Sequence, residues 1–359
     1  MFKLILVKND GQKSYDVTAL CAAISWDDNL SLMSAMQFEI AFSDAKLIPT
    51  NPCDLGDAAI LYDNEVEVYR GIIVTEGRSG RDTIKYTVYD YAWYLGKSKS
   101  VYQFNKITAS QAITRILNDF GMLIGHVPQM LTPINDIFLE KSPAEIIEDI
   151  YKREERRTGK RFNVEMRSGR IYFEDMKDLV IKGTFRLADN QKLQDVMDNP
   201  LAAERTRSIE SMRNVVKILV ERKENKKKKK DQPDPKPPTD QTDPKSQKSQ
   251  TSYDIVAITK DEPLIRKYGL LEEVYKIDAE DAAKAREVAR ILLKRLARIQ
   301  ETNSIKLIGD SSFKAGRLLD IDEPITGMSG RFMIVTAKHT VTNQIHIMDL
   351  ELALPEDVK

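Results

Sequence analysis

Apolar and polar residues alternate along much of the chain at the two-residue period of half-buried strands. Met36, Phe38 and Ile40, with Phe42 beyond them, are separated by Gln37, Glu39 and Ala41. One side-chain face of such a segment turns inward and the other toward solvent. Ile60 and Tyr62 lead into Asp63-Asn64 and then Val66 and Val68, the pattern of a hairpin. Gly71 opens the next apolar run, Ile72–Thr75, and after the polar turn Gly77–Asp82 the residues Ile84, Tyr86 and Val88 alternate again. Short strands at this spacing predict a sandwich or barrel over residues 1–100.

The period then changes to that of helices. Thr108 and Gln111 form a capping box ahead of Ile113, Ile116, Leu117 and Phe120, and Gly121 follows at the helix end. Ser142, Pro143 and Glu145 give a second, stronger start ahead of Ile146, Ile147, Ile150 and Tyr151, with Gly159 beyond the end. Phe162, Val164 and Met166, the turn Arg167–Arg170, and Ile171 with Phe173 predict a hairpin. Residues 101–185 therefore read as a small α/β domain. Asn214–Val220 predicts a strand. Asp278 reads as the cap of a long helix with the apolar stripe Ala285, Val288, Leu292, Leu296 and Ile299. From Ile305 to Leu354 the pattern returns to strands, with His346, Met348, Leu350 and Leu352 alternating imperfectly with Ile345, Ile347, Asp349 and Glu351.

One segment breaks every pattern. Arg222–Ser252 holds no aliphatic or aromatic residue, five prolines and the run Lys226–Lys230. It cannot bury enough surface to offset its ordering entropy, so a flexible tether is predicted. Its nine Lys and one Arg against one Glu and four Asp make it +5 and leave the rest of the chain at −5. A nucleic-acid contact is the sharp reading of the lysine run. No aromatic residue is interleaved to stack on bases, so a solvated loop is the reading adopted.

Composition narrows the classes. The 359 residues are 42% hydrophobic and 31% charged, with 55 basic and 55 acidic residues. This is a globular balance with room for two or three cores and no global pull toward nucleic acid or anionic lipid. No apolar stretch approaches the roughly 18 residues of a membrane span. The run Leu4–Val7 is shorter than the roughly 7–15 residues of a signal-peptide core, so synthesis in the cytoplasm is expected.

Candidate chemistry is sparse. The chain lacks a phosphate-binding glycine loop, a dinucleotide fingerprint, a zinc-protease helix and a nucleophile elbow. His339 and His346 flank a turn-like Thr342-Asn343-Gln344 and would approach each other across a hairpin; with no third ligand evident, they read as structural. Cys21 and Cys53 read as free thiols, and His126 as structural. Glu145, Glu148 and Asp149 resemble paired carboxylates for sugar hydrolysis, but acids in the first turns of a helix are favoured by its dipole. No catalytic, cofactor-binding or metal-ligating residue is assigned, and no cofactor is expected.

A weak internal echo carries more. Leu55-Gly56-Asp57-Ala58-Ala59-Ile60 followed by Gly71-Ile72-Ile73-Val74 is matched late in the chain by Ala315-Gly316-Arg317-Leu318-Leu319 followed by Gly330 and Met333-Ile334-Val335. Both read as a glycine turn, a strand, a polar turn and a glycine-led strand; the echo is either a chance likeness of two hairpins or the trace of two barrels of one design in a single chain.

The order of parts resembles a known family. The segments that carry the resemblance are Tyr86–Leu95, Ala109–Gly121 with its Ile-Leu-Asn-Asp-Phe-Gly close, Ser211–Val216, and Ile308-Gly309-Asp310 with Ala315-Gly316, Gly330, His339 and His346–Leu350. In this order the chain resembles the XkdQ/YqbQ-type tail-hub (baseplate hub) proteins of contractile phage tails and phage-tail-like bacteriocins. The tether is longer than that pattern and is given no family role. The resemblance implies an α+β, multidomain chain. In that pattern residues 1–100 would form a first tube-type β-barrel, 101–185 a small α/β domain, 186–221 with 303–359 a second tube-type β-barrel, 222–252 the Lys/Pro-rich tether, and 253–302 an insertion with the long helix. It further implies a structural hub with no reaction of its own: a homotrimer adapting a sixfold tail tube to a threefold spike. Its partners would be the tube protein, spike and other baseplate proteins and the tape measure, all within a virion or tail-like particle. The rival readings are a tail-associated cell-wall hydrolase and a nucleic-acid-binding protein using the Lys-rich tether.

Overall fold

The structure, a computed structural model, describes residues 1–41, 51–79, 83–186, 200–221, 253–277, 279–355 and 357–358. The predicted tether and the expected cap Asp278 lie outside them. The fold is α+β in two compact units, Met1–Thr206 with Thr302–Lys359, and Arg207–Glu301.

In the larger unit the first strands are β1 (Phe2–Val7), β2 (Ser14–Asp16), β3 (Cys21–Asn29), β4 (Ala35–Ile40), β5 (Ala58–Asp63), β6 (Val66–Gly77) and β7 (Ile84–Tyr89). Alternation places Met36, Phe38 and Ile40 of β4 and Ile84, Tyr86 and Val88 of β7 in one core with Leu4, Leu6, Leu61 and Ile73. Asn64 and Glu65 both take positive φ, 46° and 72°, at the β5–β6 hairpin, the two-residue turn whose twist suits paired strands.

Next comes an α/β module: α1 (Trp93–Lys97), β8 (Ser100–Thr108), α2 (Ala109–Asp119), β9 (Leu123–His126), β10 (Pro133–Lys141), α3 (Pro143–Thr158), β11 (Phe162–Arg167) and β12 (Arg170–Asp175). Both predicted capping boxes form, Thr108 with Gln111 and Ser142 with Glu145. Gly159 closes α3 at φ 72°, a conformation costly for any residue with a Cβ. Ile113, Ile116 and Leu117 of α2 meet Ile146, Ile147 and Ile150 of α3 and Phe173 of β12 in a core of their own.

The chain then returns to strands with β13 (Val180–Arg186) and β14 (Pro200–Ser208), enters the smaller unit, and re-emerges. In the smaller unit β15 (Val215–Glu221) pairs antiparallel with β16 (Tyr253–Lys260) and parallel with β17 (Glu272–Ile277). Helix α4 (Glu262–Tyr268) lies between β16 and β17 in sequence, and α5 (Ala285–Leu296) follows β17. Ala285, Ala289 and Leu293 of α5 cover Val216, Ile218 and Ala257. Buried Asn214 ties the unit's loop, donating from Nδ2 to the Gly269 carbonyl and accepting at Oδ1 from the Leu271 amide.

Two placements differ from expectation. The strand at 215–221, expected in the second barrel, belongs to this separate sheet, because Val216 and Ile218 are the face that α5 covers. The helix spans 12 residues and is preceded by a tighter 3₁₀ segment at Ala279–Lys284. Ile299 therefore falls outside it.

The last strands are β18 (Gln300–Ile308), β19 (Leu318–Glu323), β20 (Met328–Thr342) and β21 (Ile345–Ala353). His346, Met348, Leu350 and Leu352 of β21 point inward, as the alternation predicted.

Strand order now shows the duplication. The first half runs β3-β4-β7-β6-β5-β1, and the second runs β14-β18-β21-β20-β19-β13. The six strands occupy the same places in the sheet and follow the same order along the chain. Backbone hydrogen bonds match too. The Gly56 amide donates to the Ile73 carbonyl at 2.9 Å and the Ile73 amide to the Asp57 carbonyl at 2.8 Å; Gly316, Ile334 and Arg317 repeat this at 2.9 and 2.9 Å. Gly56 and Gly316 have φ of 85° and 81°. Register slips between Ile73 and Thr75 against β7, and between Ile334 and Thr336 against β21, so a bulge sits at Val74 and again at Val335.

The echo in the sequence is thus real at its first glycine and offset at its second. Gly71 lies opposite Ala59, a place filled by Phe332 opposite Leu319, whereas Gly330 lies opposite Ile321. Gly71 has its own cause, since a Cβ there would stand 2.2 Å from the Tyr89 carbonyl oxygen. Among the described residues neither half closes on itself as a barrel. All of these strands, with β2, join in one 13-stranded sheet.

Candidate functional site

The two halves meet where β20 lies against β3. β20 is 15 residues long. Its first part, Met328–Met333, pairs with β19. Past the bulge at Val335, Thr336–Thr342 pairs antiparallel with Ala23–Asn29. The bulge therefore lets one strand serve two neighbours on the same edge in succession.

Four rings fill the centre of this seam. Trp26 and His339 are register partners, and their rings stack at 4.7 Å and 3°. His346, brought across the β20–β21 hairpin, is 5.1 Å from the Trp26 ring, and Phe2 meets it edge-on at 5.0 Å. His339 Nδ1 lies 2.9 Å from His346 Nε2, and His339 Nε2 lies 2.9 Å from the Phe313 carbonyl oxygen. A carbonyl can only accept, so Nε2 of His339 carries its hydrogen; Nδ1 then accepts and His346 donates. Burial, together with the neighbouring His346, pushes the His339 pKa down to about 3, and burial also lowers that of His346. The pair is held neutral. The hairpin tip adds a clasp, with Gln344 Oε1 accepting from the Phe2 amide at 2.8 Å.

A second buried polar cluster joins the α/β module to this sheet. Arg317 grips Glu165 through two hydrogen bonds of 2.6 and 2.8 Å, and Glu165 is held below the usual carboxylate range despite burial. Asp90 accepts from the Ser34 amide and hydroxyl and from the Ala92 amide. Burial nevertheless raises its pKa to about 7.

The residues singled out from sequence do not converge. His339 and His346 come together as described. His126 is exposed on β9. Cys21 and Cys53 are free, half-buried thiols packed at the edge of the first core, pushed up to about 12 by burial. Glu145 is engaged by its capping box, Glu148 by Lys152 at 2.5 Å and Asp149 by Arg153 at 2.7 Å. Lys226–Lys230 lie outside the described residues. No cluster of three or more potential metal ligands occurs among the described residues, and no described helix is long and apolar enough to cross a membrane. Sequence reasoning passed over Trp26, which heads no motif, and the paired bulges at Val74 and Val335, which leave no sequence mark beyond a valine in a strand.

The family model described as YQBQ-like matches residues 24–234 and 244–353. The uncharacterized protein YqbQ of Bacillus subtilis (strain 168) is 21% identical over 305 residues, covering 83% of this chain and 81% of its own. The 43 kDa tail protein of prophage MuSo2 from Shewanella oneidensis superposes with a TM-score of 0.66 at 15% identity, over 99% of this chain and 100% of that one. A tail protein from Neisseria meningitidis MC58 gives 0.61 at 12% identity, over 98% and 96%.

Proposed function

The chain belongs to the YQBQ-like family, and from that membership we propose that it is a structural component of a phage tail or tail-like particle, the hub at the end of the tail tube. In this reading it carries no reaction of its own. It assembles as a trimer, presents a sixfold surface to the tail tube protein and a threefold one to the spike, and contacts other baseplate proteins and the tape measure. It is made in the bacterial cytoplasm and incorporated there.

The observation that carries the reading is the repeated strand order, with its matched glycine turns and bulges, joined by the β3–β20 seam. Three copies of a chain with two like modules supply six like surfaces, which is what matching a sixfold partner to a threefold one requires. The fold shared with the Shewanella and Neisseria tail proteins supports the same reading. The test is an electron cryomicroscopy reconstruction of the purified particle with this chain located in it. Three copies in one ring at the tube–spike junction are expected; six copies, or a position away from the tube axis, overturn the proposal.

A further inference from the structure

Helices α3 and α5 treat their charges differently. On α3, Lys152 pairs with Glu148 at 2.5 Å, Arg153 with Asp149 at 2.7 Å and Arg157 with Glu154 at 3.3 Å, each acid three or four residues back on the same helix. Helix α5 turns two of its four-residue rows inward. Ala285, Ala289 and Leu293 lie on the sheet of the smaller unit, and Val288, Leu292 and Leu296 pack beside them. The other two rows, Arg286-Arg290-Lys294 and Glu287-Ile291-Arg295, are exposed along their whole length. Arg286, Arg290, Lys294 and Arg295 have no hydrogen-bond or ion-pair partner among the described residues.

Nothing within the helix accounts for that arrangement. Residues four apart in a row are neighbours, and like charges there weaken a helix. The helix dipole favours cations in the last turn, where Lys294 and Arg295 stand, and opposes one in the first turn, where Arg286 stands. Glu287 is the single acid of the two outer rows. Ile291, 58% exposed, lies at their middle with Arg290, Lys294 and Arg295 around it. An apolar centre inside a polar rim rich in arginine is how protein interfaces are built.

We propose that the outer face of α5 is a docking surface for a partner protein, an acidic amphipathic helix whose carboxylates meet the row Arg286-Arg290-Lys294 and whose aliphatic side chains cover Ile291. Charge complementarity selects the acid, since four unpaired cations face solvent against one carboxylate. Spacing selects the helix. The cationic row repeats every four residues, about 6 Å along the axis, and carboxylates four apart on another helix repeat alike. Ile291 selects protein over nucleic acid, because a phosphate backbone has no use for it and α5 carries no aromatic side chain to stack on bases. A second copy offers no equivalent acidic row, because Glu148, Asp149 and Glu154 of α3 are engaged by that helix's own cations. The surface belongs to the smaller unit alone and does not depend on the hub assignment.

Titration of the full-length chain with labelled probes tests this. The first probe is a helical peptide of about 20 residues with glutamates four apart beside a row of leucines. The second has the same charge with serine in place of leucine, and the third is a DNA duplex of similar length. The glutamate–leucine peptide is expected to bind. Reversing charge with Arg290→Glu and Lys294→Glu together should weaken it roughly tenfold, and a lysine–leucine peptide should bind that variant instead. Ile291→Ser and the serine peptide should each lose several-fold. All three positions are exposed, so the melting temperature of each variant should match the parent and show the fold intact. Duplex bound more tightly than peptide, with no loss in Ile291→Ser, overturns the proposal in favour of a phosphate backbone. Binding that survives the charge reversal but is lost when Lys226–Lys230 become glutamine moves the site off α5 and overturns it. Self-association of the chain that vanishes on charge reversal overturns it in favour of a second copy. No peptide binding at hundreds of micromolar overturns it outright.

Discussion

The first and second halves of the large sheet share a frame and differ in what hangs from it. Between β3 and β4 the first half makes a tight turn at Leu30–Ser34; between the equivalent β14 and β18 the second half carries the whole unit Arg207–Glu301. The pairings at the far end of each half also differ, since β1 runs antiparallel to β5 whereas β13 runs parallel to β19. What stays constant is a backbone device: a left-handed glycine ahead of the hairpin and a bulge after it. The cores differ in side chains yet fill the same strand positions. A frame set by backbone hydrogen bonds tolerates both exchange of apolar residues and a long insertion at a turn.

The comparison breaks most sharply at the seam. Trp26 is 2% exposed and belongs to the first half, while the ring it stacks on belongs to the second. Trp26→Ala is expected to cost about 3–5 kcal/mol and to split one cooperative denaturant transition into two. A variant that unfolds in one unshifted transition would show that the seam does not couple the halves.

The paired glycines sharpen it. A Cβ on Gly316 would stand 2.2 Å from Asn163 Oδ1, whereas on Gly56 the nearest atom is 3.5 Å away. Gly56→Ala should cost about 1–2 kcal/mol for the left-handed backbone alone, and Gly316→Ala distinctly more. Equal losses in urea titrations would show that the crowding at Asn163 relaxes freely.

Acid should act on the seam before either core. His339 and His346 are held below their unfolded pKa, so the unfolded chain binds more protons than the folded one as pH falls below about 6.5. Their contribution is present above that value and is lost progressively toward about 3 for His339. The melting temperature should fall over this window, and His339→Gln should flatten the fall. A profile unchanged by that substitution would place the acid sensitivity elsewhere.

The smallest effect is expected at the helix once suspected of chemistry. Glu148 is half exposed and paired with Lys152. Glu148→Gln should cost about 0.3–0.5 kcal/mol and change nothing in a cell-wall hydrolysis assay of the purified chain. Turnover lost in a folded Glu148 variant would make this an enzyme.

Much of the frame was legible because it is local. Alternation at Met36–Ile40, Ile84–Val88 and His346–Leu352 reports burial one residue at a time, and the capping boxes at Thr108 and Ser142 need only neighbours three residues on. What was not legible is pairing. Val215–Glu221 carries the same apolar pattern as a barrel strand, and only its partners β16 and β17, far along the chain, decide its sheet. The second glycine of the echo misled because glycine marks both a close approach, as at Gly71, and an ordinary strand position. The seam was half legible: the spacing of His339 and His346 showed that they would meet, but nothing near Trp26 in sequence showed what they would meet upon.

β20 also bears on force. Because one continuous strand is bonded to both halves, a pull that draws them apart along its length loads the pairs from Thr336↔Asn29 to Thr342↔Ala23 in shear, all at once. A pull across the strand would open them singly, like a zip. In the tail hub proposed above, load would run along one axis. A join whose resistance depends on direction can be stiff along that axis and still yield sideways.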